Sequence, residues 1–244
     1  WDIAHLLDSQ SKKMYCAGDD DQAIYRWAGA DVDHFINLPG GSEILSQSYR
    51  IPKNVHNVAE NVVRRIGRRF PKAYEPREEP GNVTRITTIN SLDMAQGDWL
   101  ILSQAGYQLT PVAHDLKSNG YLFNYRGRRS ISEKLVSDHG LLATKDMIWS
   151  VAMDKLPATD RAYVTALLRR GEKFNGIPRI TASTIHGSKG GEADNVVLFT
   201  DLSPAADTQF QQNPDDTHRV FYVGVTRAKQ NLYIVDAEDV SRSY

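Results

Sequence analysis

The chain has 244 residues, enough for one or two domains with a real core. With 29 Lys and Arg against 30 Asp and Glu the net charge is −1, so bulk charge gives no hint of nucleic acid and any basic surface must be local. Cys16 is the one cysteine and excludes an internal disulfide, the seven histidines show no metal-cage spacing, and no signal peptide or apolar run near the roughly 18 residues of a membrane span is visible; a reducing, cytoplasmic setting is expected.

Trp1 rather than Met opens the chain, which suggests a piece of something longer. Residues 1–7 have a helical apolar pattern at Trp1, Ala4, His5 and Leu7, ending in a polar turn at 8–11. Residues 13–17, a short apolar run behind two lysines, suit a buried parallel strand. The stretch Gly18-Asp19-Asp20-Asp21-Gln22-Ala23-Ile24-Tyr25-Arg26-Trp27 would then lie at that strand's carboxyl end, where open α/β sheets place ligands. Asp20 or Asp21 can cap a short helix there. A calcium loop fits poorly, because Ile24 stands where an EF-hand needs its turn glycine. Taken singly, these residues read as surface acids followed by two core aromatics.

A short acidic helix over 31–41 runs into Pro39-Gly40-Gly41, which predicts a domain boundary. Residues 42–46 read as a strand, followed by Gln47-Ser48-Tyr49-Arg50. Pro52 opens a helix whose stripe is Val55, Val58, Ala59, Val62, Val63 and Ile66. Arg64, Arg65, Arg68, Arg69 and Lys72 crowd its end, either as compensation of the helix dipole and a solvated face or as phosphate contacts. Strands are expected at 83–89 and 99–103, a helix over 109–119 stopped by Gly120, and a strand at 121–125; this order implies a parallel sheet with a right-handed crossover.

Residues 126–177 break the alternation, with helical stretches at 131–137, 141–153 and 160–168, no clear strand and an excess of basic side chains. The sheet resumes at 179–184. A polar loop, Ile185-His186-Gly187-Ser188-Lys189-Gly190-Gly191-Glu192, leads to a strand at 195–200 and a polar connector over 201–213. Asp215 or Asp216 can cap a helix through Lys229, and 231–236 is the final strand. No Gly-x-x-x-x-Gly-Lys-Ser/Thr phosphate loop and no Asp-Glu pair occurs; Gly187-Ser188-Lys189-Gly190 is a decoy, because Ser188 and Gly190 break the pattern.

The segment 18–30 resembles motif III of the UvrD/Rep/PcrA family of superfamily 1 DNA helicases. Tyr49-Arg50 resembles motif IV, residues 184–192 motif V, and Arg219–Lys229, which contains Val223-Gly224-Val225-Thr226-Arg227-Ala228, motif VI. The resemblance implies an α/β fold: a RecA-like, parallel-sheet motor domain of the P-loop NTPase type with a small helical insertion. It implies that 1–40 is the end of a first RecA-like domain, that 41–125 and 178–244 form a second, and that 126–177 is the insertion, where the family has a much larger helical subdomain. The implied activity is ATP-dependent 3′ to 5′ movement on single-stranded DNA with duplex unwinding.

By resemblance, Gln22 senses the terminal phosphate, and Tyr25 and Trp27 stack on DNA bases. Tyr49 packs on the nucleotide base. Arg50 and Arg227 reach the phosphates as arginine fingers. Arginine suits this, because its fork stays charged and binds phosphate bidentately. Glu192 is implied to bond the ribose, with an exposed acid as the plain alternative. Gly190 and Gly224 belong to the nucleotide-binding motifs, and a close backbone approach to the loop at 187–191 would explain a glycine inside a helix at 224. Thr184 and His186 match the segment joining the DNA and ATP sites, although a lone histidine is commonly a hydrogen-bonded structural residue. Implied partners are ATP with magnesium, single-stranded DNA and duplex junctions, and the missing motor domain, which would carry the magnesium ligands. Without it the piece is expected to be inactive. The rival readings are the helicase part of a RecB/AddA-like nuclease–helicase and a non-catalytic nucleic-acid-binding module.

Overall fold

The computed structural model describes residues 1–131, 156–173 and 176–244. The expected helices at 131–137 and 141–153 fall almost wholly outside them. Among the described residues seven strands form the central sheet: β3 (Asn82–Ile86), β4 (Trp99–Ser103), β5 (Phe123–Tyr125), β6 (Arg128–Arg129), β7 (Ile180–Thr184), β8 (Ala193–Phe199) and β9 (Ala228–Val235). Their order is β3-β9-β8-β4-β7-β5-β6, and every pairing is parallel except β5 with β6. This is an α/β fold built on a mostly parallel sheet, the class expected from the sequence. A separate parallel pair joins β1 (Gln47–Pro52) to β2 (Glu75–Arg77).

The pleat divides the core between two faces. Leu100, Leu102, Val196, Leu198, Leu232 and Ile234 face one side, beneath the helices α3 (Lys53–Val63) and α7 (Pro214–Val225). Trp99, Ile101, Val197 and Val235 face the other, beneath α4 (Leu109–Ser118) and α5 (Ala158–Arg170). β4 is therefore buried at all five positions, as a continuous apolar run demands. The apolar stripe of α3 is buried as its periodicity required. Gly120 ends the turn after α4 at φ +69, and a β-carbon there would meet the Ala166 carbonyl of α5 at 2.3 Å. Only glycine lets those two segments approach so closely.

Several expectations are corrected. Residues 13–17 form no strand and are mostly exposed, because no neighbouring strand lies beside them to pair with. Residues 42–46 are irregular; the strand begins five residues later and contains Tyr49 and Arg50. The segment 126–177 does contain a strand, β6, in a hairpin with β5. Most of the expected polar connector, 201–213, is a helix, α6 (Pro204–Gln212). It buries only Ala206, so its apolar signal is weak; the Ser203 hydroxyl and Pro204 start it. The helix expected to run from Asp215 or Asp216 through Lys229 starts at Pro214 and stops at Val225, and β9 begins at Ala228.

Candidate nucleotide and nucleic-acid sites

Register places the ends of β4, β7 and β8 on one sheet edge, with Ser103 opposite Thr184. The loop 185–192 leaves that edge after β7 and crosses to the opposite edge, where β8 starts beside the start of β9. β1 and the start of β9 flank its far end, so Arg50, Glu192 and Arg227 come together there although far apart in sequence.

Arg227 follows α7 and is 2% exposed. Its Nε donates to the Val223 carbonyl (2.9 Å) and Nη1 to the Gly191 carbonyl (3.3 Å). Nη2 donates to Gln22 Oε1 and to Thr226 Oγ1, both at 3.1 Å. Each of these acceptors is neutral. No carboxylate lies within 4.0 Å of Arg227 among the described residues. Burial, and then the nearby charge of Arg50, pull its pKa down to about 10. A buried guanidinium without a counter-ion is costly, and an anion at its open side would relieve that cost. Arg219, also buried, differs: it is tied to the carbonyls of Asp20 (3.0 Å) and Arg68 and lies 3.5 Å from Asp216 Oδ1. That is a structural role.

Arg50 is partly exposed and its Nη1 meets Glu192 Oε2 at 3.4 Å, while its Nε is buried without a partner. Tyr49 beside it is 87% exposed, an aromatic face free to cover a flat ring. Gln22 Nε2 donates to Asp19 Oδ2 (2.6 Å), which orients the amide oxygen toward Arg227. Gly190 turns the loop at φ +88 in open space, so its backbone can approach a ligand. Gly224 is explained differently from the expectation: a β-carbon there would meet Leu198 Cδ1 at 2.9 Å and Ile185 Cδ1 at 3.6 Å, so its close neighbours are core side chains rather than the loop at 187–191.

The acids of the 19–21 turn are not surface residues. Asp20 and Asp21 are buried, and the cap is Asp19, which accepts from the Asp21 amide. Arg69 grips Asp21 with two bonds (3.0 and 2.7 Å), and Lys72 contacts Asp21 (2.9 Å), Asp19 (3.4 Å) and Asp20. The basic run after α3 therefore satisfies acids instead of compensating a helix end. The opposite charge of residues 19–21 and 64–72 was the available signal. Among the described residues no group of three or more His, Cys, Asp or Glu could hold a metal ion, and these acids are already spent. A magnesium site does not fit them.

The second site lies at the other end of the loop. Trp27 is 77% exposed and packs edge-on to Tyr25, with ring centroids 6.1 Å apart. The Tyr25 hydroxyl donates to the His186 carbonyl (3.0 Å). His186 is largely buried, and burial pushes its imidazole below the usual histidine range. Thr184 Oγ1 accepts from the Gly187 amide (3.1 Å) and shapes the loop's first turn. Trp27, His186, Gln104, Gln209 and Asp216 line a groove of about 320 Å³. Lys189, passed over in the sequence as part of a decoy, connects the two sites: its Nζ donates to the Gln22 carbonyl (2.9 Å) and sits 5.1 Å from the Tyr25 ring centre.

Comparison with known proteins locates this constellation. Residues 179–235 match the family model of the UvrD-like helicase C-terminal domain, and residues 1–40 that of the UvrD/REP helicase N-terminal domain. Curated relatives include the ATP-dependent DNA helicase PcrA of Staphylococcus epidermidis (strain RP62A) and that of Staphylococcus aureus (strain Mu50). Each is 36% identical over 75 residues, which is 29% of this chain and 10% of the relative. The matched span is thus a tenth of those relatives' length. A solved structure, the C-terminal domain of a possible DNA helicase from Lactobacillus plantarum WCFS1, aligns at 14% identity over 77% of this chain and 86% of that one, with a TM-score of 0.39. Two separate stretches of the chain are thus similar, in chain order, to the N-terminal and the C-terminal domain of UvrD/PcrA-like helicases.

Proposed function

We propose that the chain is part of an ATP-dependent DNA helicase that moves 3′ to 5′ along single-stranded DNA and opens duplex ahead of it. The observation that carries this is the buried Arg227, held only by neutral acceptors, with Arg50 and the Gln22 amide on the same face. ATP supplies a triphosphate whose hydrolysis spreads negative charge over phosphoryl oxygens, so positioned cations are the main requirement. Arg227 and Arg50 supply those cations, already desolvated in part, where each is worth more than in water. Tyr49 offers the base a stacking face. Glu192 holds Arg50 in place and can accept a hydrogen bond from a ribose hydroxyl.

The coupling runs through a chain of direct contacts. Arg227 holds Gln22, Lys189 holds the Gln22 carbonyl and lies over Tyr25, and Tyr25 holds the His186 carbonyl. A change in the Arg227 contact is therefore felt at the Tyr25–Trp27 platform. The name of the PcrA relatives, ATP-dependent DNA helicase, supports the same reading. The 244 residues contain no phosphate loop, so the chain alone is expected to hydrolyse no ATP.

The test uses the full-length protein, ATP, and two duplexes, one with a 3′ single-stranded tail and one with a 5′ tail. Unwinding of the 3′-tailed duplex in preference to the other is expected. Equal unwinding, or none with either, contradicts the reading, as does single-turnover ATP hydrolysis by the purified 244-residue chain.

A further inference from the structure

A second groove, of about 640 Å³, lies on the opposite flank of the sheet, beside the β5–β6 hairpin. Lys117 reaches it from α4, Arg126 from the hairpin turn and Arg128 from β6. Arg126 and Arg128 are exposed. Among the described residues, none of the three lies within 4.0 Å of a carboxylate, and none of the residues lining the groove is acidic. Lys117 rests its ammonium 5.6 Å from the Tyr163 ring centre, which leaves its charge uncancelled. Arg126 holds φ +49, a left-handed conformation that is uncommon for a non-glycine residue, and this turn aims successive cations outward. Arg129, whose guanidinium donates to the Gly176 carbonyl (2.8 Å), is structural.

The hairpin adjoins the strand and the loop that also border the Trp27–His186 groove. Tyr125 pairs in register with Ala182, two residues before Thr184, and the Arg126 amide donates to the Ala182 carbonyl (3.0 Å). A β-carbon on Gly106 would meet the Arg126 guanidinium at 3.3 Å, so Arg126 touches the loop after β4. Gln104 in that loop lines the Trp27–His186 groove, and Tyr107 in the same loop is 60% exposed.

Resting on the helicase reading above, we propose that Lys117, Arg126 and Arg128 form a second nucleic-acid subsite that binds the phosphodiester backbone of the same DNA strand after it crosses the loop at 104–107. The chemistry selects a polyanion. Two cations from the hairpin and one from α4, on a groove with no acidic lining among the described residues, match a row of phosphates. The rim hydroxyls of Thr110 and Ser130 add neutral donors.

The experiment compares full-length wild-type protein with the triple variant Lys117→Gln/Arg126→Gln/Arg128→Gln. Binding of oligo-dT is measured against salt at two lengths, one covering only the Trp27 platform and one long enough to reach the hairpin. On long oligo-dT the variant is expected to bind more weakly, and its log affinity should fall less steeply with log salt, by about 0.7 per cation removed. On short oligo-dT the two proteins should agree, which also shows that the variant is folded. Wild-type slope and affinity retained on long oligo-dT overturn the proposal, and are the result if the groove serves an acidic protein instead. Equal losses at both lengths overturn it too, because the cations would then act on the main track or the fold. Failure of wild-type protein to bind either length refutes the DNA-translocase reading itself.

Discussion

Two histidines show how single residues respond to their surroundings. Burial pushes the imidazoles of His186 and His218 below their ordinary value of 6.5, and Arg65 adds to the effect at His218. Each stays neutral in the folded chain when the unfolded chain has begun to bind a proton. Stability is therefore full above about pH 6.5 and declines below it, until the folded imidazoles themselves protonate. Thermal melts across that range should show Tm falling as pH drops below 6.5, with a shallower fall for His218→Asn; an unchanged slope contradicts a buried neutral imidazole. Trp27 belongs to the same scale. Its ring is exposed and supports no core, so Trp27→Ala should leave Tm unchanged. It should weaken single-strand binding by about 1–3 kcal/mol in the full-length protein, read by fluorescence anisotropy. Unaltered binding counts against the platform. Gln22, Tyr25, Trp27 and Arg227 stood out in the sequence because each sits in a distinctive string, and the structure sets Gln22 against Arg227 and Tyr25 beside Trp27. Lys189 was not, since its partner is a backbone carbonyl, and backbone carbonyls leave no mark in a sequence.

Elements were legible where burial was strong on their faces. β4 announces itself as an unbroken apolar run, and α3 by its stripe. Elements that bury little were misread: α6 covers one alanine, β6 has two residues, and β1 pairs only with β2. The turn at 19–21 was misread for a different reason. Three successive acids look solvated until their counter-ions are known, and those lie some fifty residues away, at Arg69 and Lys72. The turn thereby fastens the Gln22 segment to α3 and α7. Asp21 is fully buried, so Asp21→Ala strands the Arg69 guanidinium and removes one of the three carboxylates around Lys72. The expected loss is about 3–5 kcal/mol in urea unfolding. A loss under about 1 kcal/mol, the size typical of exposed ion pairs, contradicts a buried clamp.

At the scale of the whole molecule, a net charge of −1 conceals strong local separation. Acids are paired off inside the 19–21 turn, while Arg227 without a carboxylate partner lies beside the Arg50–Glu192 pair, and unpaired cations gather again at the hairpin groove among the described residues. The loop 185–192 runs from the end of β7 to the start of β8 and links the Trp27–His186 groove to the proposed nucleotide face at Arg50 and Arg227 in one short segment. The most direct measurement of that shared face is single-turnover ATP hydrolysis by the full-length protein carrying Arg227→Ala, with nucleotide affinity determined in parallel. Arginine fingers contribute about 10³–10⁵ in rate, so hydrolysis should fall by that order while ATP still binds. A rate within about tenfold of wild type, a change of 1.4 kcal/mol or less in the barrier, would mean that Arg227 answers to the fold alone and that no triphosphate meets it.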